Sequence, residues 1–126
     1  MALNFDTLRN QNIARLAQFK NRKGKVCHNE DGSDWCLGQW SNATLGELGE
    51  AANIIKKIER GDMTLDEGRQ ALADELADVQ TYLDILAFRA GVDLGAATMK
   101  KWDEISERIG CPLRLTPKPI PTYDDP

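Results

Sequence analysis

Two pairs of acidic residues stand one helical turn apart in this 126-residue sequence: Glu47 with Glu50, and Glu75 with Asp78. On a helix that advances about 100° per residue, Trp40, Ala51, Ile54, Ile55 and Ile58 fall within about 80° of Glu47. Glu47 therefore lies inside an apolar stripe, with Glu50 at its edge and Asn42, Asn53, Lys56 and Arg60 on the solvent side. Glu75 repeats the design: Leu72, Val79, Tyr82, Leu83 and Leu86 fall within about the same arc, and Asp78 stands at the edge. An unpaired carboxylate on an apolar face is costly, and four acids sharing one space raise one another's pKa. They require salt bridges, shared protons or bound metal.

If metal is the answer, the donors narrow its identity. Only carboxylate oxygens converge, which suits a hard cation, Mg²⁺ or Mn²⁺. A di-iron bundle wants Glu-x-x-His on two helices, whereas the single histidine, His28, stands apart from both acid pairs. Mg²⁺ commonly leaves coordination positions to water and phosphate oxygens, so a phosphorylated substrate is expected. Lys101 and Arg108, two turns apart, share an apolar arc with Leu94 and Ile105. They are candidates to grip phosphate; pairing with the acids or reaching to solvent are the other readings.

Helices must position these groups. Phe5, Leu8, Leu16 and Phe19 mark a first helix from Asn4 to about Lys20, and the polar segment 21–34 reads as a loop. A second helix is expected from a cap at Ser33 or Asp34 to Arg60, stopped by Gly61. Thr64-Leu65-Asp66-Glu67 has capping-box form and opens a third helix to about Ala90, before Gly91. Asp93 caps a fourth that ends near Ile109-Gly110. All five prolines lie at Pro112 or later, so residues 112–126 are expected as an extended tail, mobile or laid across a neighbouring subunit. The expectation is one all-α domain, residues 1–111. Its broad apolar faces call for a homodimer or homotetramer to complete the bundle.

Composition agrees with a globular protein. Hydrophobic residues make up 41% and charged residues 29%, and twenty acids against sixteen basic residues leave a charge of −4. That balance argues against nucleic-acid binding. Neither a membrane span nor a signal peptide is recognisable, so a cytoplasmic location is expected. Cys27, Cys36 and Cys111 lack zinc-type spacing and read as free thiols. Trp35 and Trp40 precede the first acid and are candidates to stack on a base; core packing is the stronger reading for Trp40 and Trp102. His28 reads as an ordinary loop residue. Gly38, Gly46 and Gly49 inside the second helix would permit close helix approach or leave room for substrate.

The segments LGELGEAANIIKK (45–57), DELADVQTYLDILA (74–87) and KKWDEISERIG (100–110) resemble the MazG-like, all-α nucleoside triphosphate pyrophosphohydrolases. The resemblance covers about residues 40–110 and rests on the ExxE–ExxD pair; the first segment looks most like the small stand-alone branch. It implies that Glu47, Glu50, Glu75 and Asp78 hold Mg²⁺ and serve catalysis, that Tyr82 contacts the nucleotide, and that Lys101 and Arg108 bind substrate. It also implies cleavage of a nucleoside triphosphate between the α and β phosphates, for housecleaning or pool control. Two positions depart from the family pattern. The extra acid of the fuller EExxE motif is Gly46, and the asparagine often found after the lysine is replaced by Asp103 or Ser106. A relative acting on phosphoribosyl-ATP, and a non-catalytic helical interaction module, are the alternative readings.

Overall fold

Asn4, Thr64 and Asp93 each open a helix in the computed structural model, which describes residues 2–25 and 27–118. Helix α1 runs Phe5–Leu16, α2 Leu37–Glu59, α3 Leu65–Arg89 and α4 Leu94–Arg108. No strand segment occurs among the described residues, so the fold is all-α. Among the described residues, no helix is long and apolar enough to cross a membrane. By contacts the chain divides into two compact units, Met1–Val92 and Asp93–Pro126.

Two of the three expected caps, Thr64 and Asp93, hold, and Asn4 caps α1 as well. The Asn4 side chain accepts from the Thr7 amide at 2.8 Å, and Asp93 accepts from the Ala96 amide at 3.0 Å. Thr64 and Glu67 bond reciprocally as a capping box. The start of α2 differs from expectation: its cap is Cys36, whose amide donates to the Gln39 side chain at 2.9 Å. Both residues expected to cap it are engaged elsewhere. The Ser33 hydroxyl donates to Asp31 at 2.6 Å, and Asp34 is held by Trp40 and Arg89. Helix α1 also stops earlier than expected, at Leu16, and Phe19 leaves the helix to meet the His28 ring at 5.3 Å.

In the first unit, α3 packs against both α2 and α1. Only residues 60–64 join α2 to α3, so the two helices run side by side in opposite directions. Gly61 turns the chain there with φ of 84°, a conformation that favours glycine. Leu16, Trp40 and Ile85 form the buried core, with Trp35, Tyr82, Leu86 and Phe88 packed on it. Helix α1 is held by a polar lock: buried Asp84 accepts from Arg9 Nε at 3.0 Å and Asn12 Nδ2 at 2.9 Å. Ile55 and Leu83, assigned to apolar stripes, remain 42% and 37% exposed, so those stripes are wider than the contacts one chain makes.

Among the described residues of the first unit, the glycines of α2 do not mediate close helix approach. A Cβ at Gly46 or Gly49 would meet nothing within 4 Å. Close approach occurs instead at Gly68, where a Cβ would lie 2.9 Å from Met63 Sδ and 3.1 Å from Ile58 Cδ1.

In the second unit, Trp102 is 39% exposed rather than core. After Gly110 the chain folds back on its own helix. Asp103 accepts from the Leu115 and Thr116 amides at 2.6 and 3.1 Å, and Arg114 pairs with Glu107. The first residues of the tail are thus non-helical, as expected from the prolines, but anchored to α4. Residues 119–126 of the expected tail lie outside the described residues.

Candidate metal centre

The antiparallel hairpin brings the acids of α2 and α3 face to face. Glu47, Glu75 and Asp78 each present a carboxylate oxygen within 4.8 Å of the others. Glu50, one turn beyond Glu47, is exposed and stands outside that trio, yet its carboxylate is the main influence on Glu75. Glu47 and Glu75 are half-buried, as their places inside apolar stripes require, and Asp78 is exposed.

The electrostatics record crowding. Hydrogen bonding to Glu50 pushes the Glu75 carboxyl up to about 7, aided by burial and by the charges of Glu50 and Glu47. Burial raises Glu47, with further upward pressure from Glu50 and Asp78. Among the described residues of the first unit, no Lys, Arg or His lies within 4 Å of any of these four acids. Among the described residues, Glu75 Oε2 is buried with no hydrogen-bond partner. A buried acceptor left unsatisfied is expensive, and a cation would satisfy it. Three carboxylates on two packed helices, with neither imidazole nor thiolate among them, fit a hard divalent ion such as Mg²⁺ or Mn²⁺.

Beside the trio opens a cavity of about 200 Å³, lined by Arg15, His28, Trp40, Asp78, Tyr82 and Ile85 among others. Whole-ligand pockets typically measure about 300–1,000 Å³, so this one suits a flat portion of a ligand rather than all of it. Its wall is an aromatic cluster. His28 lies 4.6 Å from Trp35 and 4.8 Å from Trp40 between ring centroids, and Trp40 lies 6.2 Å from Tyr82. Asp34 accepts from Trp40 Nε1 at 3.3 Å, which fixes the indole, and forms an ion pair with Arg89 Nε at 2.7 Å. Burial lowers the His28 pKa against the pull of Asp34, so the ring is neutral near pH 7. Burial raises Tyr82, helped by Glu47 and Asp78, while Arg15 pulls the other way.

Trp40 is 1% exposed and belongs to the core, touching the cavity as part of its wall. Trp35 is half-buried, in contact with the rings of His28 and Trp40. Tyr82 lines the cavity. His28, a loop residue as expected, also packs in the aromatic cluster, tilted against Phe19 and Trp35 and edge-on to Trp40. Lys101 and Arg108 lie on α4 in the second unit, both exposed, with Lys101 Nζ 3.8 Å from Glu104. Sequence reasoning missed Arg15 and Asp34. A lone arginine in the last turn of a helix carries no signal by itself, and the partners of Asp34 include one from the far end of α3. Comparison with protein-family models, curated proteins and solved structures returned no match.

Proposed function

We propose that this chain is a MazG-like pyrophosphohydrolase that cuts a nucleoside or deoxynucleoside triphosphate between its α and β phosphates, giving a monophosphate and pyrophosphate. The observation that carries this reading is the carboxylate trio of Glu47, Glu75 and Asp78, gathered with a buried, unpartnered Glu75 oxygen and no basic partner from its own unit. These three residues would hold Mg²⁺, or Mn²⁺ in its place. When bound, the ion supplies neutralisation of phosphate charge and a water of lowered pKa.

The chain's own residues do the rest. Glu50 adjoins Glu75 outside the trio and is the carboxylate left to take the proton of the attacking water. The cavity beside Asp78 receives the base against Tyr82 and the edge of Trp40, while Trp35 backs the wall. Aromatic faces stack on any base, at about 1–3 kcal/mol each. Lys101 and Arg108 are read as substrate-binding on the strength of the resemblance. Exposed Leu45 and Leu48 on α2 and Leu76 on α3 are read as the surface where a second copy completes the bundle.

The test is a panel of nucleoside and deoxynucleoside triphosphates incubated with Mg²⁺, followed by product identification. Monophosphate with pyrophosphate is the expected result. Diphosphate with phosphate rejects the cleavage site. No turnover of any nucleotide, with no Mg²⁺-dependent shift in melting temperature, leaves a helical interaction module as the better reading.

A further inference from the structure

We propose that Arg15 is an anion-binding residue of this site, placed to grip the phosphate chain of a ligand whose flat part fills the aromatic cavity. The inference deepens the nucleotide reading and rests on it. Arg15 lies in the last turn of α1 and lines the cavity together with Asp78 and Tyr82. It therefore stands where the aromatic wall meets the acid trio. A cation in the last turn of a helix gains modestly from the helix dipole, but that gain is independent of which way the side chain faces.

Four other arginines of the first unit are committed, and Arg22, which has no carboxylate within 4 Å among the described residues of that unit, does not line the cavity. Arg9 pairs with Asp84, Arg60 with Asp62, Arg69 with Asp66 and Arg89 with Asp34. Among the described residues of that unit, no carboxylate lies within 4 Å of the Arg15 guanidinium. The helix that carries it is anchored, because Arg9 and Asn12 tie α1 to buried Asp84. The carboxylates can offset the charge of a divalent ion but offer no donor to phosphate oxygens. A guanidinium offers a planar fork of donors matched to them. Arg15 is the cationic side chain lining this cavity that stays charged at neutral pH, since His28 is neutral there.

Isothermal calorimetry with α,β-imido deoxynucleoside triphosphates and Mg²⁺ tests the assignment on wild type, Arg15→Ala and Arg15→Lys. Arg15 is exposed, and circular dichroism verifies that each variant folds. The expected result is a loss of affinity of about 10-fold or more in Arg15→Ala and a smaller loss in Arg15→Lys. The Arg15→Ala ratio should shrink as salt rises from about 0.05 M to about 0.5 M, because a charge contact near the surface is screened. An Arg15→Ala affinity equal to wild type overturns the assignment and leaves the nucleotide reading standing. A ratio indifferent to salt overturns it also, since Arg15 would then only shape the cavity. Wild type that binds none of the analogues overturns both.

Discussion

If Glu75 holds the proposed divalent cation, protons compete with it for the same atoms, and this gives the site a pH dependence of defined sign. Its carboxyl is raised from the usual 4.5 to about 7. Below about pH 4.5 the group is protonated folded or unfolded; between there and about pH 7 only the folded chain keeps the proton. The metal-free protein should therefore lose stability as pH rises through that window. Mg²⁺ must displace the proton, so its effect on melting temperature should be small at about pH 5.5 and large at about pH 8. Thermal melts in Mg²⁺ and in chelator at both pH values check this; equal shifts would remove Glu75 from the ligand set. Glu75→Gln should be more stable than wild type at about pH 8 without metal, and should show a much weakened Mg²⁺ shift. Glu50→Gln and Asp78→Asn, both at exposed positions, should keep the helical circular dichroism while kcat falls by about 100-fold or more. A near-normal rate in either would undo its assigned role. The acids were legible in the sequence because their spacing and their apolar neighbours are local facts. Arg15 was not, because its meaning depends on α1 lying beside α3.

Helices were legible where their ends are set by adjacent residues, as at Thr64 and Asp93. The start of α2 was misplaced because Asp34 is drawn away by Arg89, a partner near the end of α3. The same kind of long-range polar bond fixes α1. Asp84 is 1% exposed and satisfies both Arg9 and Asn12, so Asp84→Ala leaves Arg9 with its bond to the Val92 carbonyl alone and the Asn12 amide without its acceptor. A cost of about 3 kcal/mol is expected in denaturant unfolding, with Asp84→Asn milder because it can still accept one bond. A loss below about 0.5 kcal/mol would mean that packing, not this lock, holds α1. Gly49 gives the opposite case. Its Cβ position is open within the chain, so Gly49→Ala should raise stability by up to about 1 kcal/mol through helix propensity alone. If the variant instead loses stability or changes its assembly, that face is occupied by another copy.

At the scale of the whole molecule, helical periodicity identifies the apolar faces but not what covers them. Within the first unit the buried core is small, centred on Leu16, Trp40 and Ile85, while Leu45 is 66% exposed and Leu48 and Leu76 each 49%. Scattered exposed leucines are ordinary, but these recur on helices whose opposite faces are already packed, and α2 and α3 are the helices that carry the acids. We expect light scattering at micromolar concentration to give the mass of a dimer or tetramer. Leu45→Glu with Leu48→Glu should return a monomer. A surface without a partner would tolerate both changes within about 0.5 kcal/mol each, with no change in mass. A wild-type monomer peak would end the oligomer reading. Glu47, Glu75 and Asp78 all come from one chain, so the monomeric variant should still show an Mg²⁺-dependent rise in melting temperature. Loss of that rise together with the dimer would mean that the partner copy holds the two helices at the spacing the ion requires.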